Sequence, residues 1–163
     1  MDVAQLNQLD CDEFTKLFSN VFEHHSEAAE YVYSQRPFRD QAHVIESFCR
    51  YMDQLPLGVK RQILVNHPML GSKSSMTQES TKEQKSAGLR NLRDSEADVL
   101  YEFNRKYYDK FGFPYIICVL ETNKDEILSD IQKRYNNDVD TETLRGIDEV
   151  KKIAKHRIFG LVA

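Results

Sequence analysis

FPYIICVL, residues 113–120, is a short apolar and aromatic run whose reading decides the fold class. A run of this length is either a buried strand or a tightly packed connector, and periodicity alone does not separate the two. The chain on either side does. Upstream, Phe14, Leu17, Phe18, Val21 and Phe22 recur at helical spacing behind Asp10, a natural N-cap. Ser26 opens SEAAEYVYSQ, which Pro37 ends. Val44, Ile45, Phe48, Met52 and Leu55 make a third stripe. Pro56 suits the first turn of a fourth helix carrying Val59, Ile63 and Leu64. Residues 67–79 read as loop, Ser80 to about Leu92 as helix, and Asp94 to Lys110 as a longer helix stopped by Gly112.

Downstream, Thr122 starts a helix that runs through Tyr135, and Asp140 or Thr141 starts the last one. Nothing repeats, and strands do not alternate with helices. SKSSMTQEST, residues 72–81, is a polar loop rather than a linker, because apolar stripes lie close on both sides. The expectation is an all-α fold, residues 1–163 forming a single compact domain of about seven or eight helices.

Composition narrows the class further. The chain has 163 residues, 40% hydrophobic and 29% charged, which fits a globular protein with a substantial core. No stretch approaches the roughly 20 apolar residues of a membrane span. The beginning, MDVAQLNQLDCDEF, lacks a basic-then-apolar secretory pattern. Cys11, Cys49 and Cys118 are odd in number, widely spaced and without a CxxC pair, which points to reduced thiols inside a cell. A net charge of −4 gives no general attraction to nucleic acid or to an anionic membrane, so neither is expected as a partner. An anionic ligand must be held by a few placed basic groups.

Three places carry candidate chemistry. On the last helix, Leu144, Ile147, Val150, Ile153, Ala154, Ile158 and Leu161 define an apolar face, and Arg157 points into its middle. A guanidinium there is costly without a carboxylate partner or an anion; a buried structural pair, a side chain snorkelling past the helix end and an anion-binding residue each meet that demand. In STKEQ, residues 80–84, Ser80 and Glu83 have capping-box spacing, while Glu83 and Gln84 also stand on a first helical turn that can face a ligand. His67, at a helix end before Pro68, is either a cap or core histidine or a titratable group aimed into a pocket. His24-His25 and His43-x-x-Glu46 invite a metal reading. Adjacent histidines diverge on a helix, however, and no acidic or cysteine ligand has suitable spacing, so no metal site is expected. Neither a glycine-rich phosphate loop nor a G-x-S-x-G motif is present.

In order, RPF (36–38), NHPMLGSK (66–73), ESTKEQKSAGL (79–89), YYDKFGFPYIICV (107–119) and EVKKIAKHRI (149–158) form a set. Together they resemble the family of 2-oxo-4-hydroxy-4-carboxy-5-ureidoimidazoline (OHCU) decarboxylases, which act between urate and allantoin. The resemblance runs from about residue 8 to 160. It implies an all-helical fold, commonly a homodimer, that takes a small-molecule ureide substrate and uses no metal or organic cofactor. The family's catalytic residues fall on His67 and Glu83. Its substrate-binding positions fall on Pro68, Ser80, Gln84, the connector Tyr115, Ile116, Ile117, Cys118 and Val119, and the carboxylate-binding Arg157. The chain departs from the family's HPDLAG, with Met69 at the acidic position and Gly71-Ser72 in place of Ala-Gly, and its loop before Ser80 is short. The resemblance implies a peroxisomal setting, with the cytoplasm as the alternative because GLVA is no SKL-type address. Two rival readings stand beside it: a catalytically silent binding or regulatory protein that keeps the ureide pocket, and a helical adaptor in which Arg157 only pairs a carboxylate.

Overall fold

The computed structural model describes residues 1–71, 77–89 and 92–163. In chain order they form α1 (Val3–Leu6), α2 (Cys11–Leu17), α3 (Glu27–Tyr33), α4 (Gln41–Asp53), α5 (Leu57–Val65), α6 (Gln78–Ser86), α7 (Asp94–Phe111), a 3-10 turn (Val119–Glu121), α8 (Lys124–Arg134) and α9 (Val139–Phe159). No strand occurs among the described residues, and no helix there is long and apolar enough to cross a membrane. The all-α expectation of about seven or eight helices holds: among the described residues there are nine, one of them the four-residue α1.

Most boundaries follow the punctuation residues. The side chains of Asp10, Asp40, Asn123 and Asp138 accept hydrogen bonds from backbone N–H groups at the starts of α2, α4, α8 and α9. Gly112 ends α7 with φ at 78°, in the left-handed region. Three expectations need correction. Helix α2 stops at Leu17, so Val21 and Phe22 reach the core from the turns that follow it. Leu144 is 52% exposed and does not belong to the apolar face of α9. Helix α6 is capped by Thr77, whose Oγ1 accepts from the Ser80 N–H, so the Ser80–Glu83 capping box does not form. The expected loop at 67–79 therefore ends before Gln78, the helix expected to run to about Leu92 ends at Ser86, and residues 72–76, 90 and 91 lie outside the described ones.

Helix α9 organises the core. It packs against both α4 and α5 and buries Ile147, Val150, Ile153, Ala154 and Ile158. Gly146 lets α5 approach closely; a Cβ there would sit 3.1 Å from Leu64 Cδ2.

FPYIICVL is a connector, not a strand. Two of its backbone groups are held by side chains. Arg134 Nη1 donates to the Ile116 carbonyl at 2.7 Å, and Glu149 Oε1 accepts from the Cys118 N–H at 3.1 Å. The Tyr115 hydroxyl donates to Asp130, and the Arg134 guanidinium lies 4.5 Å from the Tyr115 ring centroid. Arg134 is in turn paired with the fully buried Glu142 at 2.8 Å, which also accepts from the Tyr107 hydroxyl at 2.6 Å. Arg134→Leu would strand the Glu142 charge and the Ile116 carbonyl together. The expected loss is roughly 3–5 kcal/mol of stability, read as a lower urea midpoint at unchanged slope.

Candidate active site

Four pieces of chain converge on one cleft. The end of α5 delivers His67 and Pro68, α6 delivers Ser80, Glu83 and Gln84, and the connector delivers Tyr115, Ile116, Ile117 and Val119. The last turns of α9 deliver Ile153 and Arg157. The cleft has a volume of about 360 Å³ measured out to its open mouth. Such a volume suits a small ligand. All of the sequence-expected site residues line it except Cys118, whose N–H is held by Glu149 and whose thiol lies against Glu121 and His156. Burial, and then the Glu121 carboxylate, push that thiol up to about 12, so it stays protonated as the structure stands.

His67 is buried at the C-terminal end of α5. Its Nδ1 lies 3.1 Å from the Ile63 carbonyl. A carbonyl only accepts, so Nδ1 carries the proton and Nε2 is left with a lone pair. That Nε2 has no hydrogen-bond partner among the described residues. Burial pulls the imidazole down to about 4, against the opposing pull of the Ile63 bond and the Glu23 charge. His67 is thus a neutral imidazole with an unused basic nitrogen.

Arg157 is buried too, and its five N–H donors are all engaged. Nε donates to Glu83 Oε2 at 3.0 Å, and Nη2 to Glu83 Oε1 at 2.8 Å, a two-point fork on one carboxylate. Nη2 also donates to Ser80 Oγ at 3.0 Å; Nη1 donates to the Asn20 carbonyl at 2.8 Å and to Glu23 Oε1 at 3.3 Å. Glu23 was not anticipated from the sequence. Fully buried in the turn before α3, it accepts from the hydroxyls of Thr77 and Ser80 as well as from Arg157. Burial pushes its carboxyl up, but the two hydroxyls and Arg157 outweigh that, and the net shift is downward. The signal that could have exposed it was indirect: an arginine amid an apolar face requires a buried carboxylate somewhere else in the chain.

Supporting contacts fix the approach to the cleft. Gly71, with φ at 71°, donates its N–H to Gln84 Oε1 at 3.0 Å, and Asn104 Nδ2 donates to the Leu70 carbonyl at 3.0 Å. Gln84 thus braces the chain that follows His67-Pro68, a role the S-x-x-EQ spacing did not announce. The histidines that invited a metal reading are used otherwise. His25 Nε2 lies 2.8 Å from the Tyr51 hydroxyl, and His43 Nδ1 accepts the Arg39 N–H.

A helical domain that holds a neutral imidazole and a guanidinium–carboxylate fork in one narrow cleft has groups suited to acid–base chemistry on a small ligand. The profile of the OHCU decarboxylase family matches residues 7–159, so the chain belongs to that family. A 2-oxo-4-hydroxy-4-carboxy-5-ureidoimidazoline decarboxylase from Amia calva is 35% identical over 99% of this chain and 95% of its own length. The Xenopus laevis enzyme of the same name is 34% identical over 99% of this chain and 94% of its own. A crystal structure of OHCU decarboxylase in the presence of (S)-allantoin superposes with a TM-score of 0.71 at 25% identity, covering 87% of this chain and 94% of that one.

The His67 environment has a sign that can be checked. An unfolded chain protonates this imidazole near its ordinary 6.5, whereas the fold keeps it neutral down to about 4. The folded state therefore binds fewer protons in that window, and stability falls as pH drops through it. His67→Asn should flatten the decline in urea midpoint between about pH 6.5 and 5 relative to wild type. An unchanged slope would mean that His67 is not held neutral.

Proposed function

We propose that this protein catalyses the decarboxylation of 2-oxo-4-hydroxy-4-carboxy-5-ureidoimidazoline to (S)-allantoin in urate degradation. The observation that carries the reading is the neutral His67, with its bare Nε2, in the same cleft as the Arg157 fork. The substrate bears its carboxylate on a ring carbon next to a C=N bond. When CO2 leaves, the bonding pair moves toward that C=N, so the ring is its own electron sink and no cofactor is called for. The hydroxyl proton must depart, a proton must be added to one face of the carbon bearing the ureido group, and the ring nitrogen that receives the C=N pair takes one further proton from solvent. His67 Nε2 is the group for this transfer: neutral, it accepts the hydroxyl proton, and once protonated it is a donor. Ser80, Gln84 and the backbone of Tyr115, Ile117 and Val119 hold the polar edges of the ring, and Pro68 shapes the wall behind His67.

Arg157 anchors the substrate carboxylate in this reading, but its donors are already occupied. An incoming carboxylate must replace one partner. Glu83, with 13% of its side chain exposed, lines the cleft, whereas the Glu23 side chain is fully enclosed. The exchange therefore takes place at Glu83, one carboxylate for another on the same fork. Glu83, once displaced, accepts the ureido N–H groups. The family's homodimer and its peroxisomal or cytoplasmic setting complete the proposal, the first testable by light scattering and the second by imaging a tagged chain.

Circular dichroism of freshly made substrate, with and without the protein, tests the whole. Signed allantoin dichroism appearing only with protein is the expected result; binding without turnover would instead favour the catalytically silent protein. His67→Asn should retain ligand binding and lower turnover by at least about 10². Glu83→Gln removes the competing anion, so a carboxylate-bearing analogue should bind it more tightly than wild type while turnover falls. Arg157→Lys keeps the charge without the fork, and should bind the analogue better than Arg157→Ala yet still turn over poorly. Equal thermal shifts on analogue binding in wild type, Lys and Ala variants would remove Arg157 from the anchoring role.

A further inference from the structure

Behind the cleft, Cys118 Sγ, a Glu121 carboxylate oxygen and a His156 ring nitrogen lie within 4.8 Å of one another. The backbone explains why they meet. Cys118 and Glu121 bracket a 3-10 turn, in which side chains three residues apart stand on the same side. That turn is closed by the Glu121 N–H bonding the Cys118 carbonyl at 3.1 Å, and its entry is pinned by the Cys118 N–H on Glu149. His156 reaches the pair from the last turns of α9, its Nε2 3.4 Å from Glu121 Oε2. None of the three has a part in the proposed reaction.

We propose that Cys118, Glu121 and His156 bind a thiophilic divalent cation, Zn²⁺ in class, at a site separate from the reaction cleft. A thiolate, an imidazole and a carboxylate are the donor set of zinc and its soft neighbours, and exclude magnesium and calcium, which take oxygen ligands. Three protein ligands leave a fourth, tetrahedral position for water. The metal–sulfur bond forms as the thiol proton passes to solvent, with no change of oxidation state. Glu121 is 48% exposed on its side chain, which gives the cation its entry path. Bound there, the cation ties the connector to α9 beside Arg157. Since Ile117 and Val119 flank Cys118 and line the cleft, occupancy stiffens one of its walls.

The test is a Co²⁺ titration of the metal-stripped, full-length protein under a non-chelating reductant. The expected result is one equivalent bound with a thiolate-to-cobalt charge-transfer band and tetrahedral ligand-field bands, both removed by stoichiometric Zn²⁺. His156→Gln, a change at a side chain one-third exposed that spares the core, should weaken binding at least about tenfold and abolish the Zn²⁺-induced rise in Tm. Cys118→Ser should remove the charge-transfer band, while His43→Gln should leave both signals intact. No charge-transfer band in the wild type, a band that persists in Cys118→Ser, or equal affinity in His156→Gln would each overturn the site. Decarboxylation is not the readout, so either result leaves the proposed reaction to its own test.

Discussion

The guanidinium of Arg157 sits where a helix facing the core would ordinarily carry a leucine or isoleucine, and the surrounding structure is arranged to accommodate it. A buried, unpaired cation costs several kcal/mol, so the chain must bring it acceptors from far away. Those acceptors come from the turn after α2, from the turn before α3 and from two positions on α6. Each of these segments is short or irregular and has little reason to be where it is on helical propensity alone. The Arg157 network fixes them relative to α9, and with them one side of the cleft.

A second buried arginine does the matching task on the opposite side. Arg134 joins α8 to Glu142 on α9, to Tyr107 on α7 through that carboxylate, and to the carbonyl of Ile116. The connector is thereby held extended without a partner strand, and its side chains are free to divide between core and cleft. Tyr115 and Phe113 join the aromatic cluster with Tyr107 and Phe111, while Ile117 and Val119 face the slot. Helix α9 carries both networks. Its sequence must therefore satisfy two buried ion pairs as well as a hydrophobic face, and it also supplies Gly146 where α5 comes close.

This division explains what was legible in the sequence. Helices with a capping Asp or Asn, or with a terminal Gly, lie close to where their punctuation places them, because those signals act through neighbouring backbone groups. Arg157 was visible because its angular position contradicts its charge, a contradiction that needs only helical geometry. Its partners were not visible: Glu23 is separated from it by more than a hundred residues and sits in a turn with no periodic pattern. The Ser80–Glu83 spacing misled for a related reason. A capping box is a local solution, and Thr77 three residues earlier supplies the cap, which releases Ser80 and Glu83 to serve Arg157 instead. Likewise, Cys118, Glu121 and His156 defeat a spacing rule because α8 and most of α9 intervene between the turn and the histidine.

Two carboxylates on one guanidinium give the site its asymmetry. Glu23 is enclosed and holds its charge through Thr77, Ser80 and Arg157, so it fixes the arginine's orientation whether or not a ligand is present. Glu83 occupies the face of the same guanidinium that looks into the cleft. A guanidinium without Glu83 would face solvent with its fork open and its rotamer less restrained; one with two enclosed carboxylates would have nothing to release. The observed combination keeps the fork oriented before a substrate arrives and leaves one side of it exchangeable. Under the proposed reaction, displacing Glu83 costs little, because the incoming group makes the same pair of bonds. The neutral His67 then meets a carboxylate whose direction has been set by the buried partner, not by the one that leaves. Under that proposal, substrate orientation depends on Glu23, a residue that does not line the cleft.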